Sequence, residues 1–375
     1  MLTVDVVDCR SKAQVNEFVR FHYDLYQGTP QWVPPFKNDV KLMLNREKHP
    51  FFEHSEGEFL IAKRDGKVVG RLAMLENKPF NQYHQSKKAQ FYLFDSINDI
   101  EVARALFVRG FEWCKKRGLE SVVGPKGLSA LDGYGVQVEG YEHRQMMTMM
   151  NYNFPYYKDL FEGMGFHKEN EFISAHLTRD NFFIPEKMFE VARRVAERGK
   201  FRVVNFTNRR EMLSYTKQIG IAYNKAFVNN WEYYPLSERE VKFTVDNILF
   251  AAVPQYIKLI AYNEDVVGFL LGFPDVSAAL QRQKGNLTPW GIADMLLELR
   301  KTKFISLNGV GVLPEYQGRG GNALMYQEMA KVLQESQFIE GELTQMADTA
   351  TQVRKDVITA GAEVWKRHRI FAIDL

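Results

Sequence analysis

Two distant stretches of this chain follow one plan. Leu60-Ile61-Ala62 leads across a charged Lys-Arg-Asp-Gly turn to Val68-Val69-Gly70, and Leu259-Ile260-Ala261 leads across Tyr-Asn-Glu-Asp to Val266-Val267-Gly268. Each reads as a β-hairpin: a β-rich run, a short polar turn, a second β-rich run. A glycine then recurs at a matched distance, Gly165 before Phe166 and Gly361 before an extended run over 363–373, separated by 95 and 93 residues from Gly70 and Gly268. Matched order at matched spacing predicts a duplicated fold. The 375 residues suit two domains. We expect them at 1–180 and 181–375, with the boundary near Arg179–Pro185.

The elements between the hairpins point to an α/β chain with mixed sheets. In the first half, Val15, Phe18, Val19 and Leu25 recur at helical spacing over 13–26. A proline-rich loop, the hairpin, a strand at 91–94 and a long helix over 99–117 follow. Asp95, Ser96 and Asn98 offer caps for that helix, and Gly118 offers a stop. A strand at 121–124, a helix at 156–164 and a strand at 172–177 close the unit. The second half runs strand 202–206, helix 209–227, hairpin, strand 304–312, helix 322–337, strand 342–345, helix 349–360 and a final strand.

Composition excludes several classes. At 45% hydrophobic and 25% charged residues the chain is not disordered. Forty-nine basic against 46 acidic residues leave +3, which announces no nucleic-acid surface. Cys9 and Cys114 make neither a disulfide framework nor a metal pair, and read as reduced thiols, the first exposed and the second packed on a helix. The eight histidines show no HExxH-type spacing, so no metal is expected. No apolar run approaches the ~20 residues of a membrane span, and the acidic start is unlike a signal peptide. The expectation is a cytoplasmic protein with no membrane and no nucleic-acid partner.

One segment carries chemistry. The β-rich run Phe304–Val312 enters Leu-Pro-Glu-Tyr-Gln-Gly-Arg-Gly-Gly-Asn and opens a helix. Gly318, Gly320 and Gly321 allow unusual backbone dihedrals and close approach of a ligand to the amides. Free N–H groups at a helix start favour a phosphate or pyrophosphate, and Arg319 adds a positive charge. The same glycines can also serve a plain strand-to-helix turn. No Lys-Ser or Lys-Thr comes after them, which disfavours a nucleotide P-loop, and no dinucleotide fingerprint sits in an early βαβ unit.

Val312-x-Pro314, Gln317 and Gly320 resemble the acyl-CoA loop of the GNAT superfamily of N-acyltransferases, with Asn322 in place of that pattern's last small residue. The order of hairpin, strand, helix and strand in both halves resembles the same superfamily. So does Tyr156–Phe166 as its late helix-to-strand segment, and the whole is similar to a bacterial group of tandem GNAT-like proteins. The resemblance implies two tandem GNAT-like domains. It also implies an acetyl-CoA or other acyl-CoA co-substrate at Val310, Val312, Gln317, Gly318, Arg319, Gly320, Gly321 and Asn322. The acceptor it implies is the primary amine of a small molecule or peptide. At the equivalent point of the first half, Phe94–Glu101 has no glycine and three carboxylates, so CoA is expected in the second half alone.

The superfamily's acid tyrosine is replaced by Phe161 and Val357. Glu342 and Asp348 remain as base candidates, each with a plain alternative as a strand carboxylate or a helix cap. Two further readings stay open: a non-catalytic CoA-responsive protein on the same scaffold, and an aminoacyl-tRNA-dependent transferase. The Met146–Met150 cluster reads as core filling, Lys366–Arg369 as a solvated face, and the insertion over 275–303 as a lid on the acyl or acceptor pocket.

Overall fold

A computed structural model describes the chain apart from residues 130, 131, 148, 184, 185 and 229 and the side chains of Phe250 and Gln352. Pro185, the expected end of the linker, therefore lies outside the described residues. The elements run β1 (Leu2–Val6), α1 (Lys12–Leu25), α2 (Lys37–Met43), β2 (Glu56–Arg64), β3 (Lys67–Glu76), α3 (Lys78–His84), β4 (Lys88–Ser96), α4 (Ile100–Lys116), β5 (Ser121–Gly124), β6 (Val136–Glu139), α5 (Tyr156–Gly163) and β7 (His167–Thr178). They continue with α6 (Glu186–Glu197), β8 (Phe201–Asn205), α7 (Arg209–Ser214), α8 (Thr216–Ala226), α9 (Glu238–Ala251), β9 (Ile257–Tyr262) and β10 (Asp265–Pro274). The last are α10 (Ser277–Gln283), α11 (Pro289–Lys301), β11 (Phe304–Val312), α12 (Gly321–Glu335), β12 (Glu340–Ala347), α13 (Thr351–Thr359) and β13 (Glu363–Asp374). This is the mixed α/β fold expected.

The chain forms two compact units. Unit 1 holds Met1–Phe172 together with Ser277–Leu296 and Lys366–Leu375, and unit 2 holds Ile173–Val276 and Leu297–Trp365. Unit 1 thus takes two segments from the far half of the sequence. Its strands lie in the order β1-β2-β3-β4-β5-β13, with β13 antiparallel to β5. In unit 2 the order is β12-β11-β10-β9-β8.

Alternation along the strands splits the unit 1 core into two layers. Leu60, Ala62, Leu72 and Met74 face Val102, Leu106 and Phe107 of α4. Phe59, Ile61, Ala73 and Leu75 face the other way, against Phe18 of α1. The β2–β3 hairpin closes over Asp65 (φ 50°) and Gly66 (φ 78°), two left-handed residues that match the right-handed twist of paired strands.

The insertion is a pair of helices, α10 and α11, and its first part is anchored within unit 1. Gln281 Nε2 donates to the carbonyls of Pro30 and Trp32, both at 2.8 Å, and the Lys37 amide donates to Gly285 O at 2.9 Å. Met146, Met147 and Met150 are buried. The run 366–369 is a correction: Lys366 and His368 are each 1% exposed, because strand alternation turns them inward. Lys366 Nζ donates to Arg144 O at 2.7 Å, and Arg367 and Arg369 both pair with Glu171. Cys114 is buried as expected, whereas Cys9 is only half-exposed. The long helix expected over 209–227 is broken at Tyr215. Helices α2, α3, α6 and α9 were not anticipated, although α9 carries a sequence signal in its Ser237–Glu240 capping box.

Arg71 is among the largest fully buried side chains of the described residues, and its Nε donates to Asp95 Oδ2 at 2.6 Å. His22 Nδ1 lies 2.9 Å from the same oxygen, and Tyr26 Oη donates to Asp95 Oδ1 at 3.1 Å. Burial opposes ionisation of Asp95, but His22 and Arg71 facing it outweigh burial and hold its pKa at about 2. Burial also pushes His22 below its usual value, so the guanidinium carries the positive charge. Asp95→Ala would strand a buried cation, and we expect a loss of roughly 3–5 kcal/mol in urea unfolding. In the native protein the Asp95 contribution is complete above the unfolded carboxyl pKa near 4 and is lost as pH falls through about 2. A urea titration over that window checks the sign.

Candidate functional site

The site in unit 2 starts from a break in strand pairing. Strand β11 runs parallel to β12 through four partners only, Phe304↔Glu340 to Leu307↔Leu343. On its other edge β11 pairs with β10, and the register shifts between Leu270 and Gly272, opposite Val310 and Leu307. Asn308 and Gly309 therefore stand opposite the single residue Leu271, which is a β-bulge. Gly309 has φ 107°, a conformation that any side chain would strain. Beyond the bulge β11 continues to Val312 with no β12 partner, so the backbone groups of 308–312 on that edge face a wedge between two parting strands.

Eight residues, 313–320, then connect β11 to α12. Gln317 Nε2 donates to Val312 O at 2.9 Å and ties the loop to the strand end. Gly318 (φ 71°) is exposed and has nothing within 4 Å of where a Cβ would stand, so the space beside this turn is open. Gly320 (φ 85°) is the N-cap of α12, and a Cβ there would come within 2.7 Å of Val195 and 3.0 Å of Val191 on α6. This glycine is thus required by its dihedral and by packing together. Arg319 is exposed, with its guanidinium 5.4 Å from the Tyr316 ring, and the first amides of α12 have no partner inside the helix. An open loop, a free helix start and a positive side chain fit a pyrophosphate, and the unpaired edge of β11 fits an extended amide-bearing chain.

The eight residues expected to hold CoA lie together along the end of β11, the loop and the first turn of α12. Glu342 and Asp348 are not together. Glu342 is fully buried opposite Ser306, in the paired part of β12 before the wedge opens. Asp348 lies just beyond the other end of the strand, roughly 20 Å further along at ~3.3 Å per residue. Its Oδ1 accepts from Arg354 Nη1 at 2.6 Å. Tyr326, in the second turn of α12, was not singled out from sequence. Burial, with Asp356 nearby, pushes its phenol up to about 12, so it stays protonated near neutral pH.

Unit 1 repeats the bulge and the wedge without the loop. Strand β4 pairs with β5 only over Lys88↔Ser121 to Gln90↔Val123, and the register with β3 shifts between Arg71 and Ala73, where Leu93 has φ 47°. Only residues 97–99 connect β4 to α4. The three carboxylates expected to crowd a phosphate position are separated by the structure. Asp95 is interior, whereas Asp99 caps α4 and, with Glu101, pairs with Arg64.

The loop after β5 holds a carboxylate with no distinguishing mark in the sequence, since an Asp among Gly127, Gly133 and Gly135 reads as a turn residue. Asp132 Oδ2 accepts from the Ser129 amide at 2.8 Å and pairs with no cation among the described residues. Burial pushes its carboxyl up to about 6. Such an environment is a common mark of functional acids and bases. The folded carboxyl holds its proton to about pH 6 and the unfolded one only to about 4, so ionisation at pH 8 opposes folding by about 3 kcal/mol. Asp132→Asn should therefore raise the melting temperature at pH 8, by an amount that shrinks as pH falls through 6 and vanishes below about 4. Melting curves of both proteins across that range check it.

No family model matches the chain. Over 374 residues, 96% of this chain and 93% of that protein, it is 24% identical to Protein YghO of Escherichia coli strain K12. It is also 24% identical over 320 residues to a bacterial ceramide synthase of Caulobacter vibrioides, covering 84% of this chain and 82% of that one. Among solved structures it is similar to a tandem GNAT protein from the clavulanic acid biosynthesis pathway, with a TM-score of 0.56 and 11% identity over 100% of this chain and 98% of that one. It is likewise similar to a GCN5-related N-acetyltransferase from Sphaerobacter thermophilus, with a TM-score of 0.52 and 14% identity over 100% and 95%. At these identities the structural likeness shows the fold.

Proposed function

We propose, from a chain whose fold is that of the tandem GCN5-related N-acetyltransferases, that this protein transfers an acyl group from an acyl-CoA to a primary amine, with the thioester bound in unit 2. One observation carries the reading. The bulge at Asn308–Gly309 opens a wedge beside an unpaired strand edge, and that edge leads straight into a glycine loop and a helix start.

In this reading the diphosphate sits on the amides of Gly318–Asn322 with Arg319 beside it, and the pantetheine arm pairs with the free edge of β11 at Val310 and Val312. The acceptor nitrogen attacks the thioester carbonyl, a backbone amide beyond the bulge holds the oxyanion, and the C–S bond breaks to release the CoA thiolate. The amine must lose a proton on the way. Asp348 would have to leave Arg354 before accepting it, so we assign the base to Glu342 and give Asp348 the task of holding the start of α13.

For the acyl group, the likeness to a protein named a bacterial ceramide synthase supports a fatty acyl chain and a long-chain amine over acetyl transfer to a small amine. Both donors belong in the test. Acetyl-CoA and palmitoyl-CoA should be compared by thermal melting on wild type and on Arg319→Glu, which alters an exposed side chain and leaves Gly320 packed on α6. A donor at ~100 times its dissociation constant should stabilise the wild type by about 2.7 kcal/mol, a rise of several degrees, and the variant much less. A larger shift with palmitoyl-CoA selects the fatty acyl group. No shift with either defeats the reading. Where transfer is measured, Glu342→Gln should lower kcat by roughly 10²–10⁴-fold with the thermal shift preserved.

A further inference from the structure

Helix α11 is built inside out. A surface helix of a globular protein normally turns its apolar stripe to the core and its charges to water. In α11 the side facing water carries Trp290, Ile292, Leu296 and Leu297, exposed by 85%, 45%, 58% and 50%. At 100° per residue these four share one broad face with Ala293, Arg300 and Lys301, all of them exposed. The opposite side holds Gly291, Met295, Glu298 and Leu299, and Asp294 stands at the edge of the face beside Lys301. Asp294 is held against Arg282 at 2.9 Å, and both Asp294 and Glu298 are half-buried. The exposed charges on the apolar face are therefore positive, at its C-terminal end, while the acid at its edge is paired with Arg282, and Lys284, Lys303 and the apolar Leu287 are exposed just outside the helix.

What sets this face apart is four large apolar side chains exposed together on one helix, with a tryptophan at one end. Its dimensions and charge select the partner. Thirteen residues make a helix about 20 Å long and ~10 Å wide, so the exposed face offers on the order of 200–300 Å², well below the ~800 Å² per partner that a stable protein interface buries. An apolar face with arginine and lysine at its exposed end, and its one rim acid neutralised by Arg282, matches instead an apolar layer beneath negative headgroups. Tryptophan is the residue most at home at that boundary. No described helix is long and apolar enough to cross a membrane, and none needs to be for a helix that lies along its surface.

We propose that α11 docks the protein on a membrane containing anionic phospholipid, with Trp290, Ile292, Leu296 and Leu297 at the level of the acyl chains and Arg300 and Lys301 on lipid phosphates. The proposal does not depend on the acyltransferase reading, since it concerns a helix face that carries none of the residues assigned to the acyl-CoA or to the transfer.

The test is sedimentation of the full chain with vesicles of phosphatidylcholine alone or mixed with phosphatidylglycerol, at low and at high salt. The wild type should bind the mixed vesicles at least about tenfold more tightly than the neutral ones, and salt should weaken that preference. Leu296→Glu with Leu297→Glu should weaken binding by tenfold or more. Arg300→Glu with Lys301→Glu should remove the preference for phosphatidylglycerol. All four positions are exposed, so the melting temperatures should stay within a degree or two of wild type, and the loss of binding then reports the surface and not the fold. No binding to phosphatidylglycerol vesicles at low salt overturns the proposal, and so does binding that both double variants retain. A concentration-dependent dimer that Leu296→Glu abolishes also overturns it, because the face would then belong to a second copy.

Discussion

A β-strand can satisfy two neighbours only while its register matches both, and one inserted residue ends that match. In β11 the insertion falls at Asn308–Gly309. Before it, the strand is held on both edges; after it, β10 still pairs and β12 does not. Everything proposed for unit 2 depends on that parting. It leaves backbone donors and acceptors without strand partners beside a cleft, and it directs the strand end into a loop whose glycines Gly318 and Gly320 have left-handed dihedrals. An ordinary pair of parallel strands would have buried the same backbone groups in a ladder.

The same break occurs in β4 of unit 1, so the duplication read from the two hairpins extends to an irregularity as well as to the elements. Beyond the break the two units diverge. Unit 2 continues into an eight-residue loop; unit 1 has three residues there and turns its strand inward on Arg71 and Asp95. A buried charge pair is costly to desolvate and more costly to break, so it fixes one arrangement of α1, β3 and β4. One copy of the fold thus uses the bulge to open a cleft, and the other holds a closed polar centre beside it.

The stability of unit 1 leans on segments distant in sequence. Strand β13, at the end of the chain, pairs with β5, and the loop before α11 is tied to Pro30, Trp32 and Lys37. Neither tie is visible as a local pattern. In the helix that follows, Leu296 and Leu297 are exposed while Met295 and Leu299 are half-buried.

Much of the fold was legible because it rests on short-range rules. Alternation set the hairpins, helical spacing set α1, the cap candidates Asp95, Ser96 and Asn98 announced the start of α4 although Asp99 is the residue that caps it, and the glycine-dense turn after Val312 marked the loop. Four helices escaped, and the Ser237–Glu240 capping box of α9 shows that at least one had left a mark. By itself the sequence determined most of the strands and the longer helices and where a phosphate-sized turn lies, because dihedral preference, periodicity and capping act within a few residues. Tertiary structure alone decided that Lys366 and His368 are interior, that Glu342 is sealed beside Ser306 while Asp348 is spent on Arg354, and that Asp132 has no cation beside it among the described residues. Burial and charge pairing are made by residues far apart in the chain, and a carboxylate or a leucine carries no local sign of what will stand opposite it.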